Sequence, residues 1–467
     1  MQVLHESCAG LDVHKDVIVA CRRVVHGKNV LKDVESFGST TRELLRLSSW
    51  LEETGTTHVV MESTSVYWKP VWNVLDGHFA LSLANPKRVK NVPGRKSDVK
   101  DAEWLAELLA HGLVEASFVP DMEILELRKL TRTHKQLTRE RVQHVQRIQK
   151  TLQATNIRLD SAISDLLGKS GRKILDAMVA GETDARKLAS LARRVKATPE
   201  ILTCALEGRV SSTDRKLLRT HLRMVDIIDE QLADLEKDID EALAPFAEAV
   251  ELLKTIPGIG DGNARTLIAE IGVDMSRFKT PGHLVSWAGM CPRMDESAGK
   301  RRSTKLRDGN KWIKTALCQA AWSAVRSKQR GYLHAQFYRL RARRGEKKAL
   351  MAVGATILTA VHAMLSTGKP YRDLGPDFFE RKDEQRTVHK LMVGIGGDLM
   401  AQVPDGGGDD GLVEEGLVAG VGGDQGDVEE FAGEAGEAAA GVEGELGGGL
   451  GEQIAGGAGG AGRGRSW

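Results

Sequence analysis

Between Ser7 and Phe37 the chain runs through short apolar stretches, CAGLDV, DVIVACRRVV and NVLKDVESF, broken by HK and HGK. Period-two runs rich in β-branched residues with polar breaks predict three strands of an antiparallel meander. The helical period then takes over in TTRELLRLSSWLEETG, gives way to a strand in THVVMEST, returns in VYWKPVWNVLDG, and yields to a strand in FALSLANP. The stretch GRKSDVKDAEWLAELLAHG, residues 94–112, opens on Asp98 and Asp101 and continues with Trp104, Leu105, Leu108 and Leu109 at helical spacing. Two carboxylates three residues apart lie on one helix face about one turn apart. Capping is one reason for acids at a helix start, since they satisfy orphan N–H groups and complement the dipole.

Three strands, helix, strand, helix, strand, helix is the order of a ribonuclease H-like fold, so the expected class is α/β with a mixed sheet, followed by a mainly helical remainder. Residues 122–159 place Leu127, Leu130, Leu137, Val145, Ile148, Leu152 and Leu159 at steps of three and four, or sums of them, in a basic helix of coiled-coil type. A second run, residues 221–243, is acidic where the first is basic, which suits an antiparallel hairpin within one chain or a contact between two chains. A helix, Pro-Gly turn, helix pattern of helix-hairpin-helix form begins in LLKTIPGIGDGNARTLIAEIG at 252. The expected divisions are therefore an α/β domain at 1–121, a helical region at 122–250, a C-terminal domain at 251–372, a charged linker at 373–390, and a disordered tail of glycine and acid at 391–467.

Charge sharpens this division. Residues 391–467 hold 15 acidic and 2 basic side chains, which leaves residues 1–390 with a net charge of +15. A basic body of that size favours a polyanionic partner, because phosphates neutralised by Lys and Arg release condensed counterions. The five cysteines are scattered without a Cys-x-x-Cys pair, which argues for reduced thiols and against a zinc site. No run is expected to supply the roughly 18 uncharged residues of a membrane span, and a cytoplasmic, nucleoid-associated location without a membrane partner follows.

In the expected sheet Asp12 sits on the first strand and Glu62 ends the central one, with the helix of Asp98 and Asp101 against both. Four converging carboxylates repel one another unless divalent cations neutralise them, and two Mg²⁺ ions about 3.5–4 Å apart are the usual arrangement for phosphoryl transfer. Tyr67, Trp68 and Trp72 follow Glu62 closely and either pack the helix or stack on an unpaired base. The loop NPKRVKNVPGRK leads into the acidic site with Lys87, Arg88, Lys90, Arg95 and Lys96, a guide for phosphates or a solvated loop. In IPGIGDGNA, Gly258 and Gly260 either let backbone N–H groups approach a phosphate or simply form a tight turn. Ser297 lies among Lys300, Arg301, Arg302, Lys305 and Arg307, and a serine in a basic loop is either a polar loop residue or a nucleophile.

Taken together, LDVHK, MEST, YW, NP and KSDVKDAEWLAELL, followed by IPGIGDGNARTLIAEIG, WAGMCPRMDESAGKRRSTK and GNKWIKTAL, resemble the DEDD-type insertion-sequence transposases over residues 8–372. The resemblance implies a RuvC-like first domain and a distinct C-terminal transposase domain. It implies that Asp12, Glu62, Asp98 and Asp101 bind the metal and that Ser297 joins covalently to a DNA end. It also implies a structured guide RNA from the element itself. The expected assembly is a homo-oligomer in which Ser297 reaches the metal site within or across subunits. The alternative is a RuvC-like, Mg²⁺-dependent junction endonuclease that uses water and needs no serine.

Overall fold

The computed structural model describes residues 3–27, 29–63, 65–86, 89, 101–293, 296–297, 300–301 and 305–384. The candidates Lys87, Arg88, Lys90, Arg95, Lys96, Asp98 and Arg302, and the tail at 391–467, lie outside these residues. The chain divides into two compact units, Met1–Pro120 and the remainder from Asp121.

The first unit is a mixed sheet of β1 (Ser7–Val13), β2 (Val17–His26), β3 (Asn29–Gly38), β4 (His58–Glu62) and β5 (Ala80–Ala84), in the order β3-β2-β1-β4-β5. The first three strands form the expected antiparallel meander, and β4 and β5 add to β1 in parallel. Helices α1 (Thr41–Glu52), α2 (Trp68–Leu75) and α3 (Asp101–Ala110) connect and cover the strands. Cys8, Ala9, Gly10 and Leu11 are all buried, because β1 is covered on both faces. Successive strand residues face opposite ways. Leu11, Ile18 and Phe37 share one face by register, and Phe37 meets Trp50 of α1 edge-on with ring centres 5.4 Å apart. On the other face Cys21 packs with Ala102 and Ala106 of α3, and Val60 with Leu105 and Leu108.

In the second unit, α4 (Met122–Ala154) and α9 (Ser212–Leu243) run antiparallel within one chain. Ile148 and Leu152 of α4 share a core with Leu218, Leu222 and Val225 of α9, and Arg141 pairs with Asp229 across the hairpin. Between them α5 (Leu159–Ala162), α6 (Lys169–Ala180), α7 (Ala185–Ser190) and α8 (Pro199–Ala205) add Ile174, Leu175, Leu188 and Leu202 to that core. Then come α10 (Ala247–Lys254), α11 (Asp261–Ile271), α12 (Pro281–Ala288), the short ribbon β6 (Glu296–Ser297) and β7 (Lys300–Arg301), α13 (Lys311–Arg326), α14 (Tyr332–Arg344) and α15 (Glu346–Thr367).

Three expectations change. The helical region and the C-terminal domain form one unit, since Arg128 and Arg132 of α4 reach into α11. Residues 373–384, expected within the linker, pack back on α14: Asp373 accepts from the Tyr332 amide (3.0 Å), and Phe379 stacks on Tyr332. One helix among the described residues, α15, is long and apolar enough to cross a membrane, because Ala349–Thr367 carries no charged side chain. Its Leu350, Val353, Ile357, Leu358 and Val361 are buried in the protein, as a core helix requires.

Candidate functional site

The direction of α3 decides where its first residue lies. The Leu4 amide donates to the Ala110 carbonyl (2.8 Å), and the Cys8 thiol to that of Ala106 (3.5 Å). Gly10 lies against Ala102 and Ala106 so closely that a Cβ would overlap their backbone. Helix numbers fall as strand numbers rise, so α3 runs antiparallel to β1 and Asp101 comes to the end of the strand where Asp12 stands. Asp12 pairs in register with Val19, which packs on the α3 side of the sheet, and Glu62 follows one residue after the Leu11–Met61 pair on the same side. Asp12, Glu62 and Asp101 therefore share one end of one sheet face. The positive end of α3 points toward them.

Two details accompany this end. His14 places Nε2 3.1 Å from Asp12 Oδ2, and Ser65, three residues beyond Glu62, holds a left-handed φ of +50°. Tyr67 is exposed, while Trp68 and Trp72 are partly buried and meet edge-on at 5.8 Å. The buried side of α2 is made by Val71 and Leu75, so these aromatics do not form the helix's main packing face.

Ser297 pairs with Lys300 at the tip of the β6–β7 ribbon, and Glu296 with Arg301. Nearer its foot the Arg293 amide donates to the Lys305 carbonyl (2.9 Å) and the Arg307 amide to that of Cys291 (3.0 Å). In the turn between α10 and α11, Gly258 has φ +90° and a Cβ there would overlap backbone of Ala320 and Ala324 in α13; close packing accounts for this glycine. Gly260 precedes α11 as its N-cap, is exposed, and has open space where a Cβ would stand.

A family model for DEDD-type transposases matches residues 9–157, and one described as "Transposase IS116/IS110/IS902 family" matches residues 250–338, together about half of the chain. The chain belongs to the IS110-family transposases. It is similar to a probable family 20 transposase of Pseudomonas aeruginosa, 26% identical over 319 residues, which are 68% of this chain and 80% of that protein. It is also similar to the pilin gene-inverting proteins of Moraxella bovis and Moraxella lacunata, each 24% identical over 381 residues, 78% of this chain and 96% of theirs.

For a transposase of this family a DNA substrate and divalent-metal use are implied. The described carboxylates at the sheet end are all oxygen donors, the type a hard divalent cation takes. Among the described residues, however, no three His, Cys, Asp or Glu side chains form a ready group for an ion, and Asp98 lies outside them. What holds α3 in place is a second cluster. Glu107 meets Lys32 (3.0 Å), buried Arg23 (3.4 Å) and His111 (3.1 Å), joining β2 and β3 to the helix. Burial alone would raise the Glu107 pKa, but Lys32, Arg23 and His111 outweigh it and hold the carboxyl below its ordinary value. Sequence reasoning missed His14, this cluster, and the buried Glu270. The signal for Glu270 was present: one acid inside the apolar run LIAEIG.

Proposed function

We propose that this transposase cuts and rejoins the DNA ends of its own element, with Asp12, Glu62, Asp98 and Asp101 holding two Mg²⁺ ions and Ser297 as nucleophile. The observation that carries the reading is the antiparallel course of α3 on β1, which brings Asp101 to the same end of the same sheet face as Asp12 and Glu62. Bound ions would supply charge stabilisation and an easier loss of the nucleophile's proton. The Ser297 oxygen bonds to the scissile phosphorus and gives up its proton, while the bond to the departing sugar oxygen breaks and that oxygen takes a proton. One phosphodiester replaces another, so reversal rejoins DNA without ATP.

Lys300, Arg301, Arg302 and Lys305 follow the serine as phosphate contacts, and Lys87, Arg88, Lys90, Arg95 and Lys96 guide the strand. Gly260, open and exposed, suits a backbone approach to phosphate at the helix hairpin. A structured RNA from the element selects the sequences, and the protein acts as a homo-oligomer; both follow from the family resemblance, with the basic body as added support.

The test is denaturing electrophoresis of labelled element-end DNA. Wild type and Ser303→Ala form a covalent protein–DNA adduct, and Ser297→Ala forms none while still binding DNA. Asp12→Ala, Glu62→Ala, Asp98→Ala and Asp101→Ala each lose cleavage. An adduct from Ser297→Ala, or free ends with no protein attached in wild type, would make the water-using endonuclease the better reading. Cutting that survives ribonuclease treatment would remove the RNA.

A further inference from the structure

Among the described residues Glu270, on α11, is the one fully buried acid, 1% exposed. A buried carboxylate is costly unless its charge and lone pairs are met, and here they are. Arg132 donates to both oxygens in a fork, Nε to Oε1 and Nη2 to Oε2, each at 2.7 Å. Arg128, one turn earlier on α4, approaches Oε2 at 3.4 Å and donates to the carbonyls of Ala269 (3.1 Å) and Glu270 (2.6 Å).

Among the described residues a further donor to Glu270 comes from the segment that follows the ribbon. Asn310 Nδ2 reaches Glu270 Oε2 at 2.5 Å, while its Oδ1 caps α13 by accepting from the amides of Trp312 (2.9 Å) and Ile313 (3.3 Å). Asn310 lies in the segment after the ribbon, just beyond the Pro292–Leu306 bridge and directly before α13. Just before it the Arg307 guanidinium donates to the Ser286 hydroxyl (2.7 Å) and Lys314 to the Arg307 carbonyl (2.9 Å). Gly309 and Gly289 bring their backbones so close that a Cβ on either would collide with the other segment. The Trp312 ring then lies 5.6 Å from Arg132 and 5.3 Å from Arg139, both on α4. Direct hydrogen bonds thus run from the long helix α4 through Glu270 and Asn310 to the first turn of α13, whose Lys314 holds the Arg307 carbonyl at the foot of the ribbon.

We propose that Glu270 is a positioning residue for the transposase reaction: through Asn310 it fixes the foot of the Ser297 ribbon against α4. The proposal rests on the reading of Ser297 as nucleophile. Displacing a nucleophile by even about 1 Å slows reaction steeply without weakening substrate binding. Both nearby roles of Asn310 are separable, because serine is as good an N-cap as asparagine but too short to reach Glu270.

The experiment uses the full chain with labelled element-end DNA at saturation. Asn310→Ser should keep DNA affinity within about twofold, yet form the covalent adduct at least about tenfold more slowly, the mark of a placement defect. Asn310→Asp keeps the cap but sets a second carboxylate against Glu270. Its adduct rate should be lower at pH 8 and recover as pH falls, when one shared proton restores the hydrogen bond; wild type lacks that recovery. A wild-type rate from Asn310→Ser, or no pH recovery in Asn310→Asp, overturns the positioning role. If Ser297→Ala abolishes the adduct while Asn310→Ser does not slow it, only this proposal falls. If Ser297→Ala still forms the adduct, the nucleophile reading falls first and this one with it.

Discussion

A single methyl group at position 10 is the most sensitive change available to the acidic end of the sheet. Gly10 faces α3, and a Cβ would overlap the Ala102 carbonyl oxygen and the Ala106 amide nitrogen, neither of which is a flexible side-chain tip. The helix must therefore lift away, and it carries Asp101. Overpacking of this kind costs about 1–3 kcal/mol. Gly10→Ala should lower the melting temperature by several degrees and reduce strand cleavage more than DNA binding, as seen by calorimetry and by single-turnover assays. Unchanged melting and cleavage would mean that α3 has slack at this contact. The Glu107 cluster opposes the lift, since Arg23 is almost wholly buried and would lose its acid partner.

At the scale of elements, the α4–α9 hairpin contains a weak point. His144 and His221 face one another with Nδ1 atoms 3.1 Å apart, beside Arg147 and near the Arg141–Asp229 pair. Burial, then His144, then Arg147 hold the His221 pKa below its ordinary value. The unfolded chain therefore takes up the proton first, so the contribution is present above the unfolded pKa, about 6.5, and is lost as pH falls. Melting temperature should decline between pH 7 and pH 5, and His221→Gln should flatten part of that decline; an identical slope in the variant would exclude the pair as its source. The hairpin also shows what was legible in the sequence. The strands and long helices announce themselves through their periods, and the opposite charges of 122–159 and 221–243 suggested pairing without fixing whether it lay within one chain. The end-to-end course of α3 was not legible, because it depends on Gly10 meeting Ala102 and Ala106 far along the chain. Nor was the Glu270 anchor, whose partners Arg132 and Asn310 lie 138 and 40 positions away. Residues 160–220 read only as mixed turns, since their apolar positions make sense only against the core supplied by α4 and α9.

Across the whole molecule, charge is segregated along the chain rather than balanced within it. Residues 1–390 carry a net +15, and residues 391–467 add 15 acids and 2 bases, so the chain as a whole is only +2. DNA and the tail are both polyanions, and the tail is tethered, which keeps its effective concentration near the body high whatever the protein concentration. It therefore competes for the same cations. The competition is electrostatic and fades as salt shortens the Debye length from about 30 Å at 0.01 M to about 8 Å at 0.15 M. A chain ending at Lys390 should bind DNA more tightly than the full chain at low salt, with the two affinities converging as salt rises. The plot of log affinity against log salt should also be steeper for the shortened chain, because more of its cations are free to release counterions from DNA. Titrations of both chains across a salt series measure the difference directly. Equal affinities at the lowest salt would show that the tail's carboxylates do not reach the DNA-binding cations, and the basic body would then act with its full charge in the intact protein.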